Sequence, residues 1–131
     1  MKFLALIQAR CGSTRLPSKV LKDLAGKTLL QRVVERVRKS RLVDEVLVIT
    51  SIDRRNLPLI QLCAQEGIRV FAGAEDDVLD RYYQCARLFS PEYVIRITAD
   101  CPLIDWRYID MAAEQLREDS DYIGQLTESF P

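Results

Sequence analysis

The stretch FLALIQA (residues 3–9) runs directly into RCGSTRLPSK (residues 10–19), and this junction decides the fold. The first segment is apolar except for Gln8, the pattern of a strand covered on both faces. The second has no helical stripe and carries Gly12, Ser13, Thr14 and Pro17, which are loop residues. A buried strand that empties into a polar, glycine-containing loop predicts a ligand-binding α/β unit, because parallel sheets bind ligands beyond the carboxyl ends of their strands.

Working outward, Leu29, Leu30, Val33, Val34 and Val37 recur at helical spacing after Gly26 and predict an amphipathic helix ending near Ser40. Residues 45–51 read as a second buried strand, with Val46, Leu47, Val48 and Ile49 unbroken. Asp53 is placed to cap a helix through Leu57, Ile60, Cys63 and Ala64, with Pro58 in its first turn and Gly67 ending it. A short third strand follows at 68–72. Asp76 or Asp77 then caps a helix whose stripe is Val78, Leu79, Tyr82, Cys85, Ala86 and Phe89. Residues 93–98 form a fourth strand and 99–103 a loop, and Asp105 caps a last helix carrying Ile109, Ala112, Ala113 and Leu116. This strand–helix alternation, repeated four times, predicts an α/β fold, a Rossmann-like, mostly parallel sheet flanked by helices. A chain of 131 residues, 48% apolar, has material for one core. Residues 119–131 carry no long apolar period and no closing element.

The 19 basic and 19 acidic residues cancel, but they are unevenly spread. Residues 1–40 hold ten Lys or Arg against two acids, and the remainder holds nine against seventeen. A basic segment joined to an acidic remainder suits a site that holds polyphosphate on one wall and a cation on another. Part of the asymmetry is helix surface, since Arg32, Arg36, Arg38 and Lys39 fall late in a helix, where positive charge complements the dipole. A neutral chain without a long basic stripe argues against nucleic acid as a partner. No stretch approaches the ~20 apolar residues of a membrane span, and the start lacks a signal-peptide pattern, so a cytoplasmic location and no membrane partner are expected. Four cysteines without a CxxC pair, and no histidine, argue against structural zinc. Cys63 and Cys85 fall in helical stripes as small core residues, whereas Cys11 and Cys101 sit in loops beside charged residues, open to reaction but not marked as nucleophiles.

Two segments occupy the carboxyl ends of strands. In the first, Gly12 permits a turn whose N–H groups converge on an anion, Ser13 and Thr14 add hydroxyl donors, and Arg10, Arg15 and Lys19 supply charge. The spacing is neither a Walker loop nor a dinucleotide fingerprint. Composition alone leaves a phosphate site and a merely basic surface loop both open. The second segment, TADCP (98–102), sets Asp100 just beyond a strand, where one carboxylate suffices for a Mg²⁺ shared with phosphates, or caps the turn before Pro102. In EDDVLDR (75–81), Glu75 and Asp76 read as compensation of a helix dipole, with Asp77, Asp80 and Arg81 as weaker candidates for lining the site.

IQARCGSTRLPSKVL, DEVLVITS, EDDVLDRYY and VIRITADCPLID together resemble the sugar-nucleotide cytidylyltransferases. The nearest likeness is to the spore coat polysaccharide biosynthesis protein F group, which is similar to the CMP-ketodeoxyoctonate and acylneuraminate cytidylyltransferases. The likeness runs from Phe3 to about Asp121 and implies a nucleotide-diphospho-sugar transferase fold. It implies that Arg10, Ser13, Arg15 and Lys19 contact the triphosphate of CTP, that the backbone from Ala9 to Gly12 lies near base and phosphates, and that Asp100 is a Mg²⁺ ligand. Asp77, Asp80 and Arg81 would border the nucleotide. Lys19, Arg15 and Asp100 become the expected catalytic residues, and a sugar or sugar acid the acceptor. Ser18 stands where similar proteins commonly have glycine. Those proteins continue well past the point where this sequence ends, with a second acidic metal ligand and surfaces for sugar and homodimer. Residues 1–131 therefore resemble the N-terminal nucleotide-binding part of such a domain, C-terminally truncated. Two rival expectations remain: a nucleotide-binding remnant without catalysis, and a nucleotidyltransferase using another NTP.

Overall fold

The computed structural model describes residues 1–12, 18–100 and 102–118, without the side chains of Arg117 and Glu118. Its main sheet has four strands: β1 (Phe3–Gln8), β4 (Glu45–Ser51), β5 (Val70–Gly73) and β6 (Tyr93–Thr98). Their order is β5-β4-β1-β6, and every pairing is parallel. Between β1 and β4 lie a two-stranded hairpin, β2 (Asp23–Leu24) with β3 (Lys27–Thr28), and helix α1 (Leu29–Arg38). Helices α2 (Leu57–Gln65), α3 (Val78–Phe89) and α4 (Trp106–Glu118) follow β4, β5 and β6.

The apolar runs account for this arrangement. Alternate residues of β1 point to opposite faces, and both faces are buried. Ala5 and Ile7 join Val46, Val48 and Ile97 under Leu30, Val33, Val34 and Val37 of α1, Leu59 and Cys63 of α2, and Ile109 of α4. Leu4 and Leu6 join Leu47 and Ile49 under Tyr82 and Cys85 of α3. Fully burying a side chain such as Leu30 or Leu59 contributes about 1.5–3 kcal/mol, so β1, packed on both faces, is the fixed axis of the molecule.

Local signals set the boundaries. Thr28 and Gln31 form a capping box that starts α1. Asp77 caps α3 by accepting the Asp80 N–H, and Asp105 accepts the Arg107 N–H at the start of α4. Gly67, at φ 66°, ends α2 by letting the Ile68 N–H reach Cys63 O. That bond takes Ile68 out of the ladder, so β5 begins at Val70 and not at the expected residue 68. Asp53 caps only a single 3-10 turn (Arg54–Asn56), and α2 starts after it. The hairpin was not foreseen: its turn needs left-handed backbone at both Ala25 (φ 55°) and Gly26 (φ 95°), and alanine gives no such signal. Among the described residues, no helix is long and apolar enough to cross a membrane.

After β5 the chain crosses back to the far side of β1 to form β6. The connections leaving β1 and entering β6 therefore diverge between these two strands, which makes their carboxyl ends a topological switch point and the place where α/β sheets bind ligands.

Candidate functional site

β1 and β6 are in register at Gln8 and Thr98, and the Ala99 N–H donates to Gln8 O at 2.9 Å. On the other side of β1, the Ala9 N–H donates to Ile49 O at 3.0 Å. Ala9 and Ala99 are both buried, and the residues that follow them, Arg10 and Asp100, are exposed. Two expected site residues of opposite charge thus emerge from adjacent strands at the switch point.

Beyond Arg10 the chain turns back on a single residue. Cys11 is buried in the core, correcting the expectation of an open loop thiol. Its N–H donates to Asn56 Oδ1 at 2.8 Å, and its carbonyl accepts the Ser18 N–H at 3.0 Å. Both ends of the loop therefore meet at one residue. Ser18 has left-handed backbone, φ 56° and ψ 30°, which explains why glycine suits this position. Lys19 opens a 3-10 turn (Lys19–Leu21) with its side chain exposed. Ser13, Thr14 and Arg15 lie outside the described residues, as does Cys101.

The root of the loop is held by a polar lattice on the β4 side, buried at Ser51 and Asn56 and exposed at Arg55. The Asn56 amide nitrogen donates to Ser51 O at 3.2 Å and to Ser51 Oγ at 2.7 Å. The Ser51 hydroxyl donates to the Glu75 carboxylate. Arg55 chelates Asp53 through Nε at 2.8 Å and Nη2 at 3.1 Å, and Nη2 lies 3.7 Å from Glu75 Oε1. The hydrogen bond from the Arg55 side chain, reinforced by that from its backbone N–H, holds the Asp53 carboxyl below the usual aspartate range. Gly12 lets this guanidinium come close, since a Cβ there would meet Arg55 Cζ at 3.1 Å.

Sequence reasoning missed Asn56, Ser51 and Arg55, and assigned Glu75 only to a helix dipole. Glu75 precedes α3 by three residues, and its carboxylate serves Ser51 and Arg55. The one available signal was Asn56 directly before an apolar helical stripe containing Pro58.

The other acidic candidates fall elsewhere on the same rim. Asp77 and Asp80 make their hydrogen bonds within α3, to the Asp80 N–H and from Gln84 Nε2. Arg81 is 3% exposed and packs on Gly73 at the end of β5, two strands from β1, and its Nε has no hydrogen-bond partner in the described structure. Its neighbour Tyr82 does reach β1: the hydroxyl donates to Gln8 Oε1 at 3.1 Å, and the Arg96 guanidinium lies 4.6 Å over its ring. Burial pushes the Cys63 and Cys85 thiols up to about 11, which fits core residues and not nucleophiles. Among the described residues, no three His, Cys, Asp or Glu side chains are grouped to hold a metal ion. The exposed Asp100 carboxylate suits a hard cation whose other ligands are phosphate oxygens and water.

The fold is an α/β domain with its candidate site at the β1–β6 switch point. A family model described as cytidylyltransferase matches residues 4–129, and the chain belongs to that family. It is 40% identical over 124 residues to the spore coat polysaccharide biosynthesis protein SpsF of Bacillus subtilis, an alignment covering 91% of this chain and 52% of that protein. Among solved structures, a cytidylyltransferase from Leptospira borgpetersenii superposes with a TM-score of 0.85 at 32% identity, over 92% of this chain and 51% of that one. CMP:2-keto-3-deoxy-manno-octonic acid synthetase, solved in complex with CTP, superposes with a TM-score of 0.80 at 30% identity, over 91% and 48% of the respective chains. The chain thus spans about half the length of the proteins it matches.

Proposed function

We propose that this chain forms the nucleotide-binding part of a cytidylyltransferase that transfers CMP from CTP to a hydroxyl of a sugar or sugar acid, with release of pyrophosphate, in polysaccharide biosynthesis. The observation that carries this reading is the emergence of Arg10 and Asp100 side by side from β1 and β6, with the loop from 10 to 19 rooted between them and the β4 lattice. The CTP held by the related synthetase supports cytidine as the base.

In this reading Arg10, Arg15 and Lys19 bind the triphosphate, with Ser13 and the Gly12 backbone as additional donors. Asp77 and Asp80 border the nucleotide from the α3 side, while Arg81 packs against Gly73. Asp100, together with the phosphates, would hold a Mg²⁺, which would supply positive charge near the leaving pyrophosphate. Attack by the acceptor hydroxyl on the α-phosphorus forms one P–O bond as the bond to the β-phosphate oxygen breaks, and the hydroxyl proton leaves to solvent. The residues of the loop stabilise the charge that develops on the leaving group, and Asp100 orients the reacting centre without acting as a base. A cytoplasmic setting, where thiols stay reduced, suits the buried free cysteines Cys11, Cys63 and Cys85.

The donors for phosphate lie in residues 10–19, whereas related proteins bring as much chain again. For the 131-residue chain, nucleotide binding without turnover is therefore expected. Calorimetry with CTP, ATP, GTP and UTP, paired with a pyrophosphate-release assay on a panel of sugar acids, tests both parts. Preference for another nucleotide overturns the choice of CTP. Robust acceptor-dependent release by this chain overturns the expectation that it binds without turnover.

A further inference from the structure

Asn56 stands at the N-terminus of α2, where an asparagine ordinarily accepts an N–H of its own helix, yet its side chain makes no such bond. It is 2% exposed and is turned away from the helix to Cys11, 45 residues earlier. The orientation of the amide is forced. A backbone N–H can only donate, so the atom facing Cys11 must be Oδ1, which leaves Nδ2 for Ser51. Ser51 is fixed in turn: its oxygen accepts from Asn56 Nδ2 and, at 3.3 Å, from the Asp53 N–H, so its proton goes to Glu75. Donation runs in one direction, from the Cys11 N–H through Asn56 and Ser51 to the Glu75 carboxylate.

We propose that Asn56 is a positioning residue for the described ends of the phosphate-binding loop, Arg10 and Lys19, its amide oriented by Ser51 and Glu75 so as to fix the Cys11 backbone to which Ser18 also bonds. The proposal rests on the reading of that loop as a triphosphate site. Cys11 supplies the carbonyl that receives the Ser18 N–H, and Ser18 leads directly into Lys19. A shift of the Cys11 backbone therefore moves Arg10 on one side and, through Ser18, Lys19 on the other. Arg55, 3.7 Å from Glu75, also lies close to Gly12, so the turn from 53 to 56 approaches two consecutive loop residues.

The test is calorimetric titration of the 131-residue chain with CTP and with inorganic tripolyphosphate, each with Mg²⁺, for the wild type, Asn56→Ala, Ser51→Ala and the double variant. Amide hydrogen exchange at Cys11 and thermal unfolding are followed in parallel. Asn56→Ala should weaken both ligands alike, by about tenfold, and speed exchange at Cys11. Ser51→Ala leaves the Cys11 N–H paired and should cost about threefold, and it keeps the test usable if Asn56→Ala does not fold. The double variant should bind as Asn56→Ala does, because Ser51 acts through Asn56. Undiminished affinity in Asn56→Ala, with only the unfolding temperature lowered, would overturn the proposal. So would losses that add in the double variant. If the wild type binds neither ligand, the triphosphate reading fails and the proposal fails with it, whereas wild-type binding that survives Asn56→Ala overturns this proposal alone.

Discussion

The two flanks of β1 end differently at the carboxyl edge of the sheet. On the β4 flank, Ser51, Asn56, Glu75 and the chelated Arg55 close the edge with directed hydrogen bonds, and Ser51 and Asn56 are buried. On the β6 flank, Ala99 is buried, and Thr98 and Asp100 on either side of it are exposed. The difference separates two tasks. One flank fixes where the loop starts, and the other carries Thr98 and Asp100 at exposed positions. A site that must hold donors still while admitting substrate needs both.

The contrast can be broken at the loop itself. Lys19→Ala, and likewise Arg15→Ala, should weaken CTP binding by about 1–3 kcal/mol, the scale of a lost charge-assisted contact, and leave unfolding nearly unchanged because the Lys19 side chain is exposed. Calorimetry with an unaltered affinity in both variants would remove the loop from the triphosphate site. On the open flank, Asp100→Asn should reduce the Mg²⁺ dependence of nucleotide binding while the fold stays intact. A variant that unfolds with its metal dependence unchanged would make Asp100 a turn cap.

The smallest effect is expected where the loop rejoins the body. Ser18→Gly relieves a left-handed non-glycine residue but adds chain entropy to the unfolded state, for a net stabilisation of up to about 1 kcal/mol. Denaturant unfolding reads this directly. A loss of stability would mean that the serine side chain contributes more than its backbone strain costs.

These flanks were not equally legible in the sequence. The β6 flank was visible because its features are local: an apolar strand, then TADCP, then Asp105 capping the next helix. The four strands of the main sheet, the four helices and a cap at Asp76 or Asp77 were read for the same reason, from periodicity and capping chemistry confined to a few residues. The β4 flank was hidden because its partners are separated by 24 and 45 residues, as in Ser51 with Glu75 and Cys11 with Asn56. Nothing in the neighbourhood of Asn56 announces that its amide will abandon its own helix. Asp53 illustrates the limit from the other side, since its capping role was recognised but the turn it caps stops at Asn56. Asp77, Asp80 and Arg81 show a third case, in which a helix start was placed on the correct rim but its side chains are engaged locally or against β5.

The position of β6 on the opposite side of β1 from β4 has a further consequence for how such a domain can diversify. The hold on Cys11 is written in residues 51–75, whereas Thr98 and Asp100 belong to the strand and turn on the other side of β1. Substitutions at Thr98 or Asp100 leave the Asn56 and Ser51 bonds untouched, provided β1 keeps its packing on both faces. Selection can therefore rework one side of the central strand while inheriting the other.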